Sequence, residues 1–420
     1  MTRRSLLGGL LLACPSAAAV RKLTKEEDHF LEDLSHRAFL FFWEQANADT
    51  GLIRDRALAD SGIPDQRPWA SSASTGFGLT GLCIASERGW ISRAKARQRI
   101  LAALRYYSEQ SFHEHGWFYH FVHSATGARW NKNEVSTIDT ALLLAGMITA
   151  QGYFNKDAEI ARLVGAIWDR IDFRWMMNGN PELLSMHWKP EGGFSKNFWN
   201  HHDELGIMNL LGIASNTSPM PVESWYAWTR PSVTYAGHNF IAGAAPLFVH
   251  QYSQAWIDFR GRREKRPPYT NWFDNSIEAT IAHRQFCIDL GKKFPGYSEN
   301  IWGITSSDTV KGYKAWGGPP AKGPIDGSVV SCAAAGSLMF SPEICIPALM
   351  EMRRVFGESV YKRYGFVDAF HPSNGWASKD VIGIDVGITL LSAENLRTGN
   401  VWKWFMRNRQ VKRAMSQLFS

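Results

Sequence analysis

Asp139-Thr140-Ala141-Leu142-Leu143-Leu144-Ala145-Gly146-Met147-Ile148-Thr149-Ala150 is apolar or small at nearly every position. A helix of that composition has no polar face to give to water, so other elements must cover it on nearly all sides. The flanking sequence supplies those elements as helices. From Ser92 onward, Ile100, Leu101, Leu104 and Tyr107 recur on one face while Arg93, Lys95, Arg97 and Arg99 take the other. Ser341-Pro342-Glu343 reads as a cap, a proline and a first-turn acid, opening a helix that runs through Met352 and stops near Gly357. Further helices are expected at 25–46, 157–171, 204–214, 274–290 and 387–396.

Between the helices lie long glycine-, proline- and aromatic-rich stretches at 51–75, 185–203, 215–240, 295–328 and 364–385. Loops of this length inside a compact domain usually carry function. No strand series alternates with the helices, no linker divides the chain, and no low-complexity tract interrupts it. The expected fold class is therefore all-α, an (α/α) toroid whose long loops form a cleft at one rim. One domain over residues 20–420 is expected.

The first 19 residues read as a leader: Arg3 and Arg4, an apolar stretch from Leu6 to Ala13, then the small residues Ala17-Ala18-Ala19. Thr2-Arg3-Arg4-Ser5-Leu6-Leu7 also resembles a twin-arginine signal, and Leu11-Leu12-Ala13-Cys14 is a degenerate lipobox with lipid anchoring at Cys14 as its alternative. An exported, periplasmic or secreted protein is expected, with no membrane span, because no later stretch has enough uninterrupted apolar residues. Cys83, Cys287, Cys332 and Cys345 have apolar neighbours and no zinc spacing, so free buried thiols are expected, with a Cys332–Cys345 bridge as the other reading. Two of the seven excess positive charges are Arg3 and Arg4, and the remaining basic residues are scattered apart from Arg260–Arg266. That pattern argues against nucleic acid as a partner.

The 18 tryptophans exceed what a core usually needs, and many sit beside glycine, proline or polar residues. Indole faces of that kind suit the C–H faces of sugar rings. Gly76-Phe77-Gly78-Leu79-Thr80-Gly81 matches a dinucleotide pattern, but no strand precedes it and no acid follows at the required distance, so the glycines are expected to let two helices approach closely. His113-Glu114-His115 with His120 and His123, and His201-His202-Asp203-Glu204, lack standard zinc spacing, and no metal or organic cofactor is expected. A nucleophile elbow, a phosphate loop and an H-E-x-x-H motif are all missing from the sequence.

Acidic groups embedded among aromatics remain. Glycoside cleavage needs one carboxylic acid to protonate the leaving oxygen and a second carboxylate to activate water or to attack. The acid must hold its proton near neutral pH, which burial beside aromatic rings promotes. Glu204 follows Phe198-Trp199-Asn200-His201-His202-Asp203 and opens an apolar helix; Asp385 lies between Gly383 and Gly387; Glu134 and Asp139 frame a helix entrance; and Glu394 precedes Asn395-Leu396-Arg397. Their rival readings are capping for Glu204, a turn aspartate for Asp385, helix-dipole stabilisation for Asp139 and an ion pair with Arg397 for Glu394.

At these motifs the chain resembles the glucoamylase-like (glycoamylase) domain family, whose characterised bacterial members include endo-β-1,2-glucanases. The resemblance rests on Phe41-Phe42-Trp43-Glu44-Gln45, Ser136 to Leu142, Pro221 to Tyr226, His250 to Ser253 with Trp256 to Gly261, Trp302 to Asp308 with Gly312 to Ala315, and Gly383-Ile384-Asp385 with Glu394 to Gly399. It implies an (α/α)6 toroid, hydrolysis of β-glucan with inversion, no cofactor, an acid at Glu204 and a base at Asp385. Asp203 departs from the family pattern and either raises the pKa of Glu204 or shares its role.

The expected catalytic residues are thus Glu204, Asp385 and Asp139, and the expected partner is a β-glucan chain bound by a monomer. Glu134, Asp203 and Glu394 are expected to contact substrate, with Trp199, Trp225, Trp302, Tyr313, Trp316 and Trp376 as stacking surfaces and Arg260 and Lys314 on hydroxyls. Two rivals stand beside this reading. A polysaccharide lyase would use Tyr252, His202 or His238-Asn239 and would make an ultraviolet-absorbing product. A non-catalytic glycan-binding protein would bind sugar without turnover.

Overall fold

A computed structural model describes residues 22–319, 323 and 325–420; the leader expected over residues 1–19, with Cys14, lies outside the described residues. The protein is rich in α-helix, with short two- and three-stranded sheets between the helices and no sheet barrel among the described residues. No helix of the described residues is long and apolar enough to cross a membrane.

The apolar stretch around Leu143 forms the helix Thr137–Tyr153, buried at nearly every position. Its closest partner is the helix Ser72–Glu87, equally buried. Two glycines set their separation. A Cβ on Gly146 would meet the Gly76 carbonyl oxygen at 2.0 Å, and a Cβ on Gly76 would meet that of Leu142 at 2.3 Å. The Gly76–Gly81 segment therefore serves helix packing, as expected.

Amphipathic helices cover this pair. Arg93–Glu109 is capped by Ser92 and buries Ile100, Leu101, Leu104 and Tyr107, while Ala158–Arg170 is capped by Asp157 and packs against both Arg93–Glu109 and Thr137–Tyr153. Lys25–Glu44 lies against Ser72–Glu87 and also against Gly383–Thr398. The helix Pro342–Phe356 begins after Ser341, but the Ser341 hydroxyl makes no capping bond; the proline and Glu343 set its start. The helix expected from 387 begins four residues earlier, at Gly383, so Asp385 stands in a helical first turn instead of a loop. Asn400–Phe405 and Arg409–Leu418 extend the helical content beyond the expected set. The four described cysteines are free and buried, without a Cys332–Cys345 bridge.

Candidate active site

The long loops do not hang free; short strand pairs lace them together where three helices begin. Trp69–Ser71, leading into the Ser72 helix, pairs with Phe121–His123, and Val135-Ser136, leading into the Thr137 helix, pairs with His187–Lys189. Arg56–Leu58 pairs with Asp380–Ile382, and the Gly383 amide donates to the Asp55 carbonyl at 2.7 Å. The N-termini of these helices thereby face a common rim. Asp139 and Asp385 both occupy first turns there, where the helix dipole favours an anion.

Asp385 is 5% exposed, receives the Tyr252 hydroxyl at 3.4 Å and shares one small cavity with the Cys332 thiol and the Asp368 carboxyl, both within hydrogen-bonding reach. Burial raises its pKa to about 6, although these donors pull it down. Asp368, itself buried, accepts the Asp308 amide at 2.5 Å. Burial and then the charge of Asp385 push Asp368 well above the usual carboxylate range. Outside this pair, Arg56 bridges Asp55 at 3.1 Å and Asp308 at 3.2 Å, and the Ser378 hydroxyl donates to Asp308 at 3.0 Å.

Glu204 stands in the turn just ahead of the helix Gly206–Ala214. Burial, then the charge and hydrogen bond of Asp203, then Asp139 raise its pKa well above the ordinary value. Asp203 also accepts the Glu204 amide at 2.9 Å. One short helix, Tyr252–Trp256, joins the two carboxyl sites: the Tyr252 hydroxyl lies on Asp385, while the Ser253 hydroxyl donates to the Glu204 carbonyl at 2.6 Å. The charges of Asp385 and Glu204 both act on the Tyr252 hydroxyl.

His120 links the remaining acids. Its Nδ1 lies 3.2 Å from Glu134 and its Nε2 3.4 Å from Asp139, while Lys189 reaches Glu134 at 3.6 Å. Burial opposes protonation of His120, yet Asp139 and Glu134 raise its pKa. The hydrogen bond from His120 is the main cause that holds Glu134 at about 2. Ser136 caps the helix and donates its hydroxyl to Asp139 at 2.5 Å, so Asp139 is held from two sides.

Several expected site residues lie elsewhere. Trp225, Trp302 and Trp316 are 1%, 0% and 0% exposed and offer no face to a sugar; Trp225 donates instead to buried Glu264, and Trp316 to Ser307. Trp199 is also buried and donates to Thr137. Arg260 is paired with Asp258, lies over Trp402 and stands beside Gly399, at the far end of the helix that carries Asp385. That helix separates the two by about 20 Å at its rise per residue. Glu394 points to the same far end and binds Arg88 at 2.7 Å; Arg397 is taken by Asp28 and Glu32. Lys314 and Tyr313 remain at the rim, where Asp385 and Asp368 act on the exposed Tyr313, and Trp376 is half-buried.

The lyase candidates are poorly placed to be bases. His202 is buried against Trp272, with its pKa pushed well below the usual value by burial, and His238 is held by Glu278. Burial and then the charge of Asp385 push the Tyr252 hydroxyl well above its ordinary value. His113 accepts the Gly116 amide, His115 stacks on Trp175 and His123 accepts the Ala125 amide, while His120 lies against Glu134 and Asp139. Sequence reasoning gave no site role to Asp368 or to the Asp55–Arg56–Asp308 set, and took His120 only as part of a histidine pattern without zinc spacing. It also missed the stacked, half-buried Trp69–Trp130 pair, 5.7 Å apart, with Trp69 on the strand paired to Phe121–His123 and Trp130 in the loop that follows that strand.

The sequence model of one family, Glycoamylase, matches residues 197–409, the stretch that holds Glu204, Tyr252, Asp308, Asp368 and Asp385. The chain belongs to the Glycoamylase family. This Glycoamylase chain is 26% identical to an exo-β-1,2-glucooligosaccharide sophorohydrolase (non-reducing end) of Parabacteroides distasonis, over 94% of its own length. It spans 58% of the length of that curated relative. An endo-β-1,2-glucanase of Chitinophaga pinensis, solved with sophorotriose and glucose, has a TM-score of 0.86 and 26% identity, covering 95% of this chain and 99% of that one. A β-1,2-glucanase of Parabacteroides distasonis has a TM-score of 0.85 and 25% identity, covering 94% of this chain and 60% of that one. In this Glycoamylase member burial raises the proton affinity of both Glu204 and Asp385.

Proposed function

We propose that the protein is a glycoside hydrolase that cleaves β-1,2-glucan, with Glu204 as general acid and Asp385 as general base. The observation that carries this reading is the Tyr252–Trp256 helix, whose adjacent Tyr252 and Ser253 contact Asp385 and the Glu204 backbone. Glu204 keeps its proton through burial and Asp203, and delivers it to the glycosidic oxygen as the C–O bond breaks. A water oxygen bonds to the anomeric carbon from the other side and its proton passes to Asp385, so the anomeric configuration inverts. Asp139, fixed by Ser136 and His120, orients the substrate or water near Glu204. Tyr313, Lys314, Trp376, Trp69 and Trp130 line the glycan path.

The helices are read as an (α/α)6 toroid, because the Gly383–Thr398 helix packs on both Lys25–Glu44 and Ser72–Glu87 and so returns the helix succession to its start. The β-1,2 linkage is supported by what the relatives from Chitinophaga pinensis and Parabacteroides distasonis act on. The basic and apolar leader supports export.

The test incubates purified protein with linear and cyclic β-1,2-glucan beside β-1,3-, β-1,4- and α-1,4-glucans and sizes the products. β-1,2-Glucan is expected to be cut, with endo or exo action read from product length. Glu204→Gln and Asp385→Asn are expected to lose about 10²- to 10⁴-fold in rate while remaining folded. Cleavage of another linkage alone, or wild-type rates in either variant, would refute the assignment.

A further inference from the structure

We propose that Asp368 is a positioning residue that holds a proton against Asp385, fixing Asp385 in its ionised form and in its orientation towards the attacking water. This rests on the reading of Asp385 as the base. The two carboxyls are 4% and 5% exposed and line one small cavity, within hydrogen-bonding reach of each other. Each also keeps one oxygen that no other donor reaches, Asp368 Oδ1 and Asp385 Oδ2. Ionised carboxylates only accept hydrogen bonds, so a bond between two of them requires a proton in between. Two like charges buried together also resist ionising together.

The surroundings decide which carboxyl carries the proton. Asp385 receives the Tyr252 hydroxyl and the Cys332 thiol and sits in the first turn of the Gly383–Thr398 helix, three influences that favour its anion. Asp368 stands in the loop after Phe366, with the Asp308 amide as its backbone donor. The other ionisable groups facing the pair are Asp308, whose charge Arg56 offsets, and Tyr313 from the same loop as Asp308. The proton therefore belongs on Asp368, whose hydroxyl donates to Asp385. A raised pKa for Asp368 agrees with this placement.

The geometry makes asparagine informative. In Asp368→Asn the new side chain would still accept the Asp308 amide through its carbonyl and donate to Asp385 through its NH2, whereas alanine would do neither. The experiment measures the pH dependence of kcat on linear β-1,2-glucan for wild type, Asp368→Asn, Asp368→Ala and Asp385→Asn. The acid limb reports protonation of Asp385. Asp368→Ala is expected to move that limb up by about one to two pH units, the loss of one donor to a charged group. Asp368→Asn is expected to keep the limb near its wild-type position.

Infrared difference spectra at neutral pH supply a readout that does not depend on the alanine variant folding. A protonated-carboxyl band present in the wild type should be missing in Asp368→Asn. An unchanged acid limb in a folded Asp368→Ala protein, or no band lost in Asp368→Asn, would overturn the positioning role while an inactive Asp385→Asn leaves the base in place. Wild-type turnover by Asp385→Asn would instead overturn the reading of the base, and this proposal with it.

Discussion

Asp203 sits directly before Glu204, the proposed acid, and its removal should narrow the pH range of activity from the alkaline side. Its side chain is 17% exposed and hydrogen-bonds Glu204, so its charge works against ionisation of its neighbour. Two such charges about 4 Å apart repel by about 4 kcal/mol at an effective dielectric of about 20. Water at the open rim weakens this, since the Asp203 side chain is partly exposed. Halving it leaves about 2 kcal/mol, or about 1.5 pKa units. In Asp203→Asn the Glu204 amide still finds an acceptor, but the repelling charge is gone, so the pKa of Glu204 falls. An acid with a lower pKa loses its proton at lower pH. The alkaline limb of kcat/KM should therefore move down by about one to two pH units, with the acid limb in place. Reducing-end release from β-1,2-glucooligosaccharides across a pH series measures both limbs, with circular dichroism as a check on folding. An alkaline limb that stays put or moves up in a folded variant would refute Asp203 as the charge that tunes the acid.

Three further outcomes test the frame around the site. Gly146→Ala would place a Cβ 2.0 Å from the Gly76 carbonyl oxygen, where only backbone could yield. It should destabilise by at least about 1–3 kcal/mol, seen as a lower urea midpoint; an unchanged midpoint would contradict the close helix contact. Arg88→Ala would leave Oε2 of Glu394, a residue 1% exposed, without its partner and should cost about 3–5 kcal/mol by the same urea measurement. Arg260→Ala should leave kcat/KM unchanged, since its partners Asp258 and Trp402 lie at the far end of the helix. A large loss of kcat/KM there would return Arg260 to the glycan path.

What could be read from sequence was whatever its own neighbours decide. The run from Asp139 to Ala150 is apolar all round, so it specifies a buried helix without reference to anything distant. Ser92 and Asp157 announce their helices through a local cap. Glu204 and Asp385 were legible because aromatic and glycine-rich flanks mark them within a few residues.

The tryptophans show where that logic ends. An indole beside glycine or proline looks the same in sequence whether its ring is open, as with half-buried Trp376, or sealed, as with Trp302 and Trp316. Glu394 looked suited to Arg397 by spacing, yet packing of the Gly383–Thr398 helix against Ser72–Glu87 brings Arg88 closer. Asp368 gave no local sign, since Val367-Asp368-Ala369 reads as a polar break in an apolar loop. Only the tertiary structure sets it against Asp385 and encloses both carboxyls. Helix formation and capping depend on residues a turn apart, so sequence alone marked most of the long helices and put Glu204 and Asp385 forward as the proposed acid and base. Proton affinity depends on burial and on charges brought together from remote segments, so the partners of those acids were decided by the folded chain.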